Sequence, residues 1–208
     1  MGILNRYFSM TKKPEGFLGS VMLFSMNSFH GKMADWGLEQ LPSALRPEEI
    51  ADLGCGGGRN ASRLLKCYPD AHVTALDYAP LAVEKAEAYN RKNVDAGRCQ
   101  VLQGDVSQLE LPKEHYDLAT AFETVYFWPG LEACFAQVCR VLKPGGLLLI
   151  VNESDGEDET GQKWERIIDG MKIYTAWEIR QALQAAGFSW VETRHHPVKP
   201  WIAVLARK

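Results

Sequence analysis

Residues 50–60 read Ile-Ala-Asp-Leu-Gly-Cys-Gly-Gly-Gly-Arg-Asn. A short apolar run meets an acid, then four glycines fall within five positions, then a helical pattern begins. The reading is a buried parallel strand, a tight turn and a helix start. Glycine suits such a turn because it adopts positive φ and leaves the backbone open to a close ligand. The amides of the following helix N-terminus then face that ligand.

The rest of the chain supplies what this turn needs. Past the turn, 60–67 reads as a helix, stopped before Pro69. A strand at 72–77 ends in Asp77. Pro80 opens a helix over 80–93, with Leu81, Ala82, Ala86 and Tyr89 at helical spacing. A third strand at 99–104 precedes Asp105, and a fourth at 117–122 runs into Glu123. A helix over 131–142 ends at Lys143-Pro144-Gly145-Gly146, before a strand at 147–151. The acidic stretch 153–159 reads as a solvated loop, and 164–171 as a short helix. The last helix, 176–186, stops at Gly187. Strands at 188–194 and 201–206 close the chain.

Strands alternating with helices predict an α/β fold. It is a Rossmann-like doubly wound seven-stranded sheet, mostly parallel, with one antiparallel strand near the C-terminus. Ligands in such sheets bind at the carboxyl ends of the strands, near the switch in strand order. That rule sets Asp52, Asp77, Asp105 and Glu123 along one rim.

Residues 1–47 are read as an N-terminal helical cap or lid, and 48–208 as the ligand-binding domain. The cap holds an amphipathic helix at 17–24 and a mixed stretch containing Asn27, His30 and Trp36. With 46% apolar and 24% charged residues, the chain can build a real core. The net charge of −3 argues against a nucleic-acid surface. Cys55, Cys67, Cys99, Cys134 and Cys139 show neither CxxC nor zinc spacing, so reduced thiols and a cytoplasmic location are expected. The apolar stretch 17–26 is too short to span a membrane. No acidic cluster is spaced for a magnesium site, so no metal is expected.

Two nucleotide-type ligands suit this rim. The dinucleotide pattern G-x-G-x-x-G fails when started at Gly54, because Arg59 takes the sixth place. Started at Gly56, it reaches Ala61 but leaves Asp52 unexplained. A carboxylate so close also opposes a pyrophosphate, whereas it suits a ligand with an ammonium and a sulfonium. The balance favours S-adenosylmethionine over NAD.

The chain resembles the class I S-adenosylmethionine-dependent methyltransferases, most nearly the small bacterial type 11 group that acts on small molecules. The resemblance rests on Asp52-Leu53-Gly54-Cys55-Gly56-Gly57-Gly58, Leu76-Asp77-Tyr78, Gly104-Asp105-Val106 and 140–146, and spans roughly residues 48–208. It implies that Gly54, Gly56 and Gly58 admit the methionine part and that Asp52 lies near its ammonium. It implies that Asp77 takes the ribose hydroxyls and Tyr78 lies on the adenine. Asp105 and the Val106 amide would meet the adenine edge, and the Ala121 carbonyl the ammonium. Phe122 and Glu123 would stand beside the methyl group.

Glu123 departs from the family, where that position is often small or uncharged. It suggests a role toward the acceptor. His30, Glu123 and Glu153 are candidate bases, and Trp36, Tyr126 and Trp128 candidate pocket walls. His195 and His196 read as solvent-facing. The acceptor is expected to be a small molecule, with no nucleic acid and no membrane partner. A nicotinamide-dependent oxidoreductase and a non-catalytic S-adenosylmethionine-binding module are the alternatives.

Overall fold

A computed structural model describes residues 31–168 and 170–208. The helix expected over 17–24, Asn27 and His30 lie outside the described residues. The described elements run α1 (Gly31–Glu39), β1 (Glu49–Leu53), α2 (Arg59–Cys67), β2 (His72–Asp77), α3 (Pro80–Tyr89) and α4 (Arg91–Asp95). They continue with β3 (Cys99–Gln103), β4 (Tyr116–Phe122), α5 (Leu131–Val141), β5 (Leu142–Asn152), α6 (Glu159–Ile167), α7 (Ala176–Ala185), β6 (Trp190–His195) and β7 (Ile202–Arg207).

The strands form one seven-stranded sheet in the order β3-β2-β1-β4-β5-β7-β6. The first five are parallel to one another, and β7 runs antiparallel to both β5 and β6. This is the architecture expected from the sequence. Strand order reverses between β1 and β4, which places the switch point beside the glycine turn. Because Asn152 pairs with Ile202, the β6–β7 turn lies at the carboxyl end of β5, on the same rim.

Side-chain alternation divides the apolar residues between two faces. Leu118, Leu149, Val151 and Ala203 pack on one face with α1, α2 and Ala86 of α3. Ala121, Ile150, Ile202 and Val204 pack on the other with α5 and α7. Buried strands of this kind read as continuous apolar runs, and β5 from Leu147 to Val151 is one.

Three boundaries differ from expectation. The helix predicted over 80–93 breaks at Asn90, whose side-chain amide turns inward to the Gly58 and Ala86 carbonyls. β5 starts at Leu142, and its pairing with β4 shifts register across 143–146 before resuming at Leu147. The end of the acidic stretch starts α6, because the Asp158 carboxylate caps it by accepting from the Gly161 amide at 2.7 Å.

The described part of the expected cap is scaffold as well as cover. Met33 and Ala34 are fully buried in the cluster that holds Phe122, Val151 and Ala203. Gly37 permits this approach, since a Cβ there would collide with the Val151 side chain. Arg194 donates to the Gln40 carbonyl at 2.9 Å, and Asp35 on α1 pairs with Arg59 and Arg63 on α2. Met33→Ala should therefore cost about 2–5 kcal/mol of unfolding free energy. Urea denaturation measures it; a loss below 1 kcal/mol, roughly the scale of a surface change, would show that α1 merely rests on the domain.

Candidate cofactor and acceptor site

The glycine turn is built by its neighbours. Gly54 and Cys55 donate their amides to the Leu76 carbonyl at 2.7 and 3.0 Å, continuing the β1–β2 ladder past the strand ends. Gly54, Gly56 and Gly58 all take positive φ, at 76°, 51° and 80°. A side chain at Gly58 would be strained by that φ and would also sit 2.7 Å from the Ala86 Cα. The Gly58 carbonyl is fixed by the Asn90 amide at 2.8 Å.

Asp77 ties this turn to β2. Its Oδ2 accepts from the Gly56 amide and its Oδ1 from the Ala79 amide, both at 2.9 Å. Burial pushes the Asp77 carboxyl up from its ordinary range, and the Ala79, Gly56 and Tyr78 amides oppose that shift. Each oxygen keeps capacity for a further donor, as paired ligand hydroxyls require. Tyr78 follows, 38% exposed, with its phenol pushed up by burial and then by the charges of Asp77 and Asp105. Asp105 is exposed and caps the turn at 106–108, accepting from the Ser107 amide at 2.8 Å and hydroxyl at 2.7 Å. Val106 is buried beside it.

Asp52 is a strongly perturbed carboxyl at the rim. It is 1% exposed. Oδ1 accepts from the Thr120 hydroxyl at 2.9 Å, whereas Oδ2 has no hydrogen-bond partner among the described residues. Burial raises its pKa to about 7, opposed by the Thr120 bond and reinforced by Asp77. An orphaned carboxylate oxygen beside a positive-φ glycine turn fits a cationic ligand group. It does not fit a phosphate.

The acceptor side is organised by Glu123. This non-glycine residue has φ 56°, and its amide donates to the Val151 carbonyl at 3.0 Å. Its carboxylate accepts from the Tyr126 hydroxyl at 3.0 Å and the Glu153 amide at 2.5 Å, joining the ends of β4 and β5. Burial, then the Glu123 charge, pushes the Tyr126 phenol well above its usual value. Tyr126 is therefore a proton donor at neutral pH.

The three aromatic wall candidates have different surroundings. Tyr126 and Trp128 are buried in the core cluster on the α5 face. Trp128 packs edge-on against Phe135 and donates to the Thr124 hydroxyl at 3.3 Å, so packing accounts for it and a pocket-wall role is not needed. Trp36 packs on His196 and Trp201, with ring centroids 5.3 and 6.2 Å away. His196 departs from the solvent-facing expectation, because it lies between two indoles and its Nδ1 accepts from the Val198 and Lys199 amides. His195 is exposed. Ala121 is fully buried on β4, and Glu153 is half-buried beside Glu123.

Sequence reasoning missed Asn90, Thr120 and Thr124. Thr124 fills the space over Gly54, where an added Cβ would strike its hydroxyl. Thr120 carried a legible signal, a polar residue inside a run of buried apolar ones. Asn90 carried none.

Residues 50–146 match a family profile described as a methyltransferase domain. That segment, from β1 to the start of β5, thus carries the pattern of a methyltransferase domain. The chain is 29% identical over 154 residues to the sterol 24-C-methyltransferase ERG6B of Gibberella zeae, covering 71% of the chain and 40% of that protein. It is 33% identical over 98 residues to the sterol 24-C-methyltransferase erg-4 of Neurospora crassa, covering 47% and 26%. The chain thus spans less than half the length of these curated relatives. Its fold matches a chain from the Haloferax volcanii complex of the Trm112 methyltransferase activator with a methyltransferase. There the TM-score is 0.81 at 20% identity, covering 89% of this chain and 92% of that one. It also matches human N-acetylserotonin methyltransferase solved with its cofactor, with TM-score 0.75 at 19% identity and coverage of 90% and 55%. No helix among the described residues is long and apolar enough to cross a membrane.

The Asp52 carboxyl makes the protein's stability depend on pH. Unfolded, it ionises near 3.8; folded, it keeps its proton to about 7. Between those values the folded state binds the extra proton, so this group's contribution falls as pH rises through the window. Above 7 the cost of burying the carboxylate is fully present. Asp52→Asn should therefore be more stable than the parent at pH 8, on the order of a few kcal/mol. The advantage should shrink toward pH 4. A stability difference that does not vary across this range, measured by denaturant unfolding at each pH, would remove Asp52 as the source.

Proposed function

We propose that this protein binds S-adenosylmethionine at the glycine rim and methylates a small-molecule acceptor. The observation that carries the reading is the buried, half-satisfied Asp52 carboxyl next to the Gly54–Gly58 turn. Asp52 and the Ala121 carbonyl would hold the ammonium, and Gly54, Gly56 and Gly58 would admit the methionine chain. Asp77 would take the ribose hydroxyls, while Tyr78, Asp105 and Val106 would frame the adenine. When bound, the cofactor supplies an electrophilic methyl group on a sulfonium.

The chain's own work is then positioning and exclusion of water. Aligning two reactants in one site contributes on the order of 7–11 kcal/mol in the best intramolecular cases. Glu123 stands where β4 ends. Its carboxylate is oriented by the Tyr126 hydroxyl and the Glu153 amide, which suits it to orient an acceptor or take its proton. Glu153 and His30 are the other candidate bases. Residues 1–47 are proposed to cap the acceptor side; the packing of Trp36 on the β6–β7 turn, at the carboxyl rim, supports this. Five free thiols support a reducing, cytoplasmic setting.

Calorimetry with S-adenosylhomocysteine tests the cofactor half. Asp77→Ala should weaken binding about ten- to a hundred-fold, the loss of charge-assisted hydrogen bonds. Unchanged affinity in the folded variant would remove Asp77 from the site, and NADH binding in place of S-adenosylhomocysteine would favour the oxidoreductase.

A further inference from the structure

Asn152 is the last residue of β5, is fully buried, and leaves both its Oδ1 and Nδ2 without a hydrogen-bond partner among the described residues. Buried amides are nearly always paired, so one orphaned at both ends calls for an explanation. Its place supplies one. It pairs in register with Ile202 of β7, and Val151 before it pairs with Phe122 of β4. The next amide along, that of Glu153, binds the Glu123 carboxylate. Asn152 therefore lies at the carboxyl rim on the acceptor side. It is one strand beyond the Ala121–Glu123 segment, on the side away from the cofactor turn.

Alternation puts its side chain on the face shared by Ile150, Ile202 and Tyr126, a surround that offers it little polar compensation. A leucine, with the same branched skeleton and methyl groups in place of the polar atoms, would suit that surround. The sequence places an amide there instead, at the expense of stability in the free protein.

We infer that Asn152 recognises the acceptor, pairing with a neutral group that both donates and accepts a hydrogen bond, such as a hydroxyl or carboxamide. The inference rests on the methyltransferase reading and narrows its substrate class. An amide offers one acceptor and two donors side by side, which suits a neutral partner of the same kind. A carboxylate would leave no donor for the Asn152 carbonyl, and an ammonium no acceptor for its NH₂. Because Asn152 is sealed from solvent, the partner group must become buried too. A hydrocarbon in its place leaves two polar atoms unpaired, and sites of that kind reject such analogues strongly.

The test compares the full chain with Asn152→Leu in three measurements. Thermal unfolding without ligand should show Asn152→Leu melting higher than the parent. Calorimetry should give the same S-adenosylhomocysteine affinity for both within about threefold, a difference under 1 kcal/mol. Ligand-observed NMR with S-adenosylhomocysteine present should show the parent retaining phenol and benzamide over toluene, and Asn152→Leu losing that preference by about tenfold or more. A lower melting temperature for both Asn152→Leu and the smaller Asn152→Val, which removes overpacking as the cause, would show that the amide is paired inside the free protein, by an internal water or otherwise, and would overturn the inference. So would a parent that shows no preference among the probes. Failure of the parent to bind S-adenosylhomocysteine would instead defeat the cofactor reading on which the inference stands.

Discussion

The carboxylate of Asp77 is the point on which the site depends. It reaches from the end of β2 to the Gly56 amide and, through its other oxygen, to Ala79 at the entry of α3. One side chain thus fixes the glycine turn, the end of β2 and the start of the next helix. A glycine-rich turn pays heavily in conformational entropy when it orders. Asp77 on one side and Asn90 on the other, through the Gly58 carbonyl, hold it without adding any side chain to the turn itself. The backbone stays approachable because the restraint comes from outside it.

The same arrangement explains the electrostatics of the rim. Asp77 lies close enough for its charge to disfavour ionisation of Asp52, and both are largely removed from water. Two such carboxylates are costly in the free protein. The amides on Asp77 offset its burial, whereas Asp52 has the Thr120 hydroxyl on one oxygen and a weaker contribution from the Ala61 amide. A cation would relieve the second far more than the first, which separates an ammonium-binding position from a hydroxyl-binding one on physical grounds.

Much of this was legible in the sequence because the signals were periodic or local. Continuous apolar runs marked the buried parallel strands, and acids after three of them marked the rim. The turn glycines were legible because positive φ demands them. What escaped were single polar residues whose meaning depends on strand order. Asn90 sits 32 positions from Gly58 and joins it only after α3 packs on α2. Thr124 matters through the space above Gly54, which exists only when β4 lies beside β1. The division between cap and domain was drawn at 47 because 48–208 contains every strand. Met33 and Ala34 show that a helix outside the strand pattern still fills the core.

Glu123 shows how the rim can hold strain in a useful place. Left-handed backbone at a residue with a Cβ costs roughly 1–2 kcal/mol. Two hydrogen bonds to a carboxylate contribute about that much or more each. The bonds to Tyr126 on the loop after β4 and to Glu153 after β5 together more than offset that strain. The backbone conformation at the end of β4 is therefore coupled to the position of the β5 loop. Anything that moves the Glu153 amide loosens Glu123, and with it the backbone next to Ala121, which the resemblance assigns to the ammonium. The ends of β4 and β5 are joined at this one residue, so the carboxylate has a mechanical reason to be here.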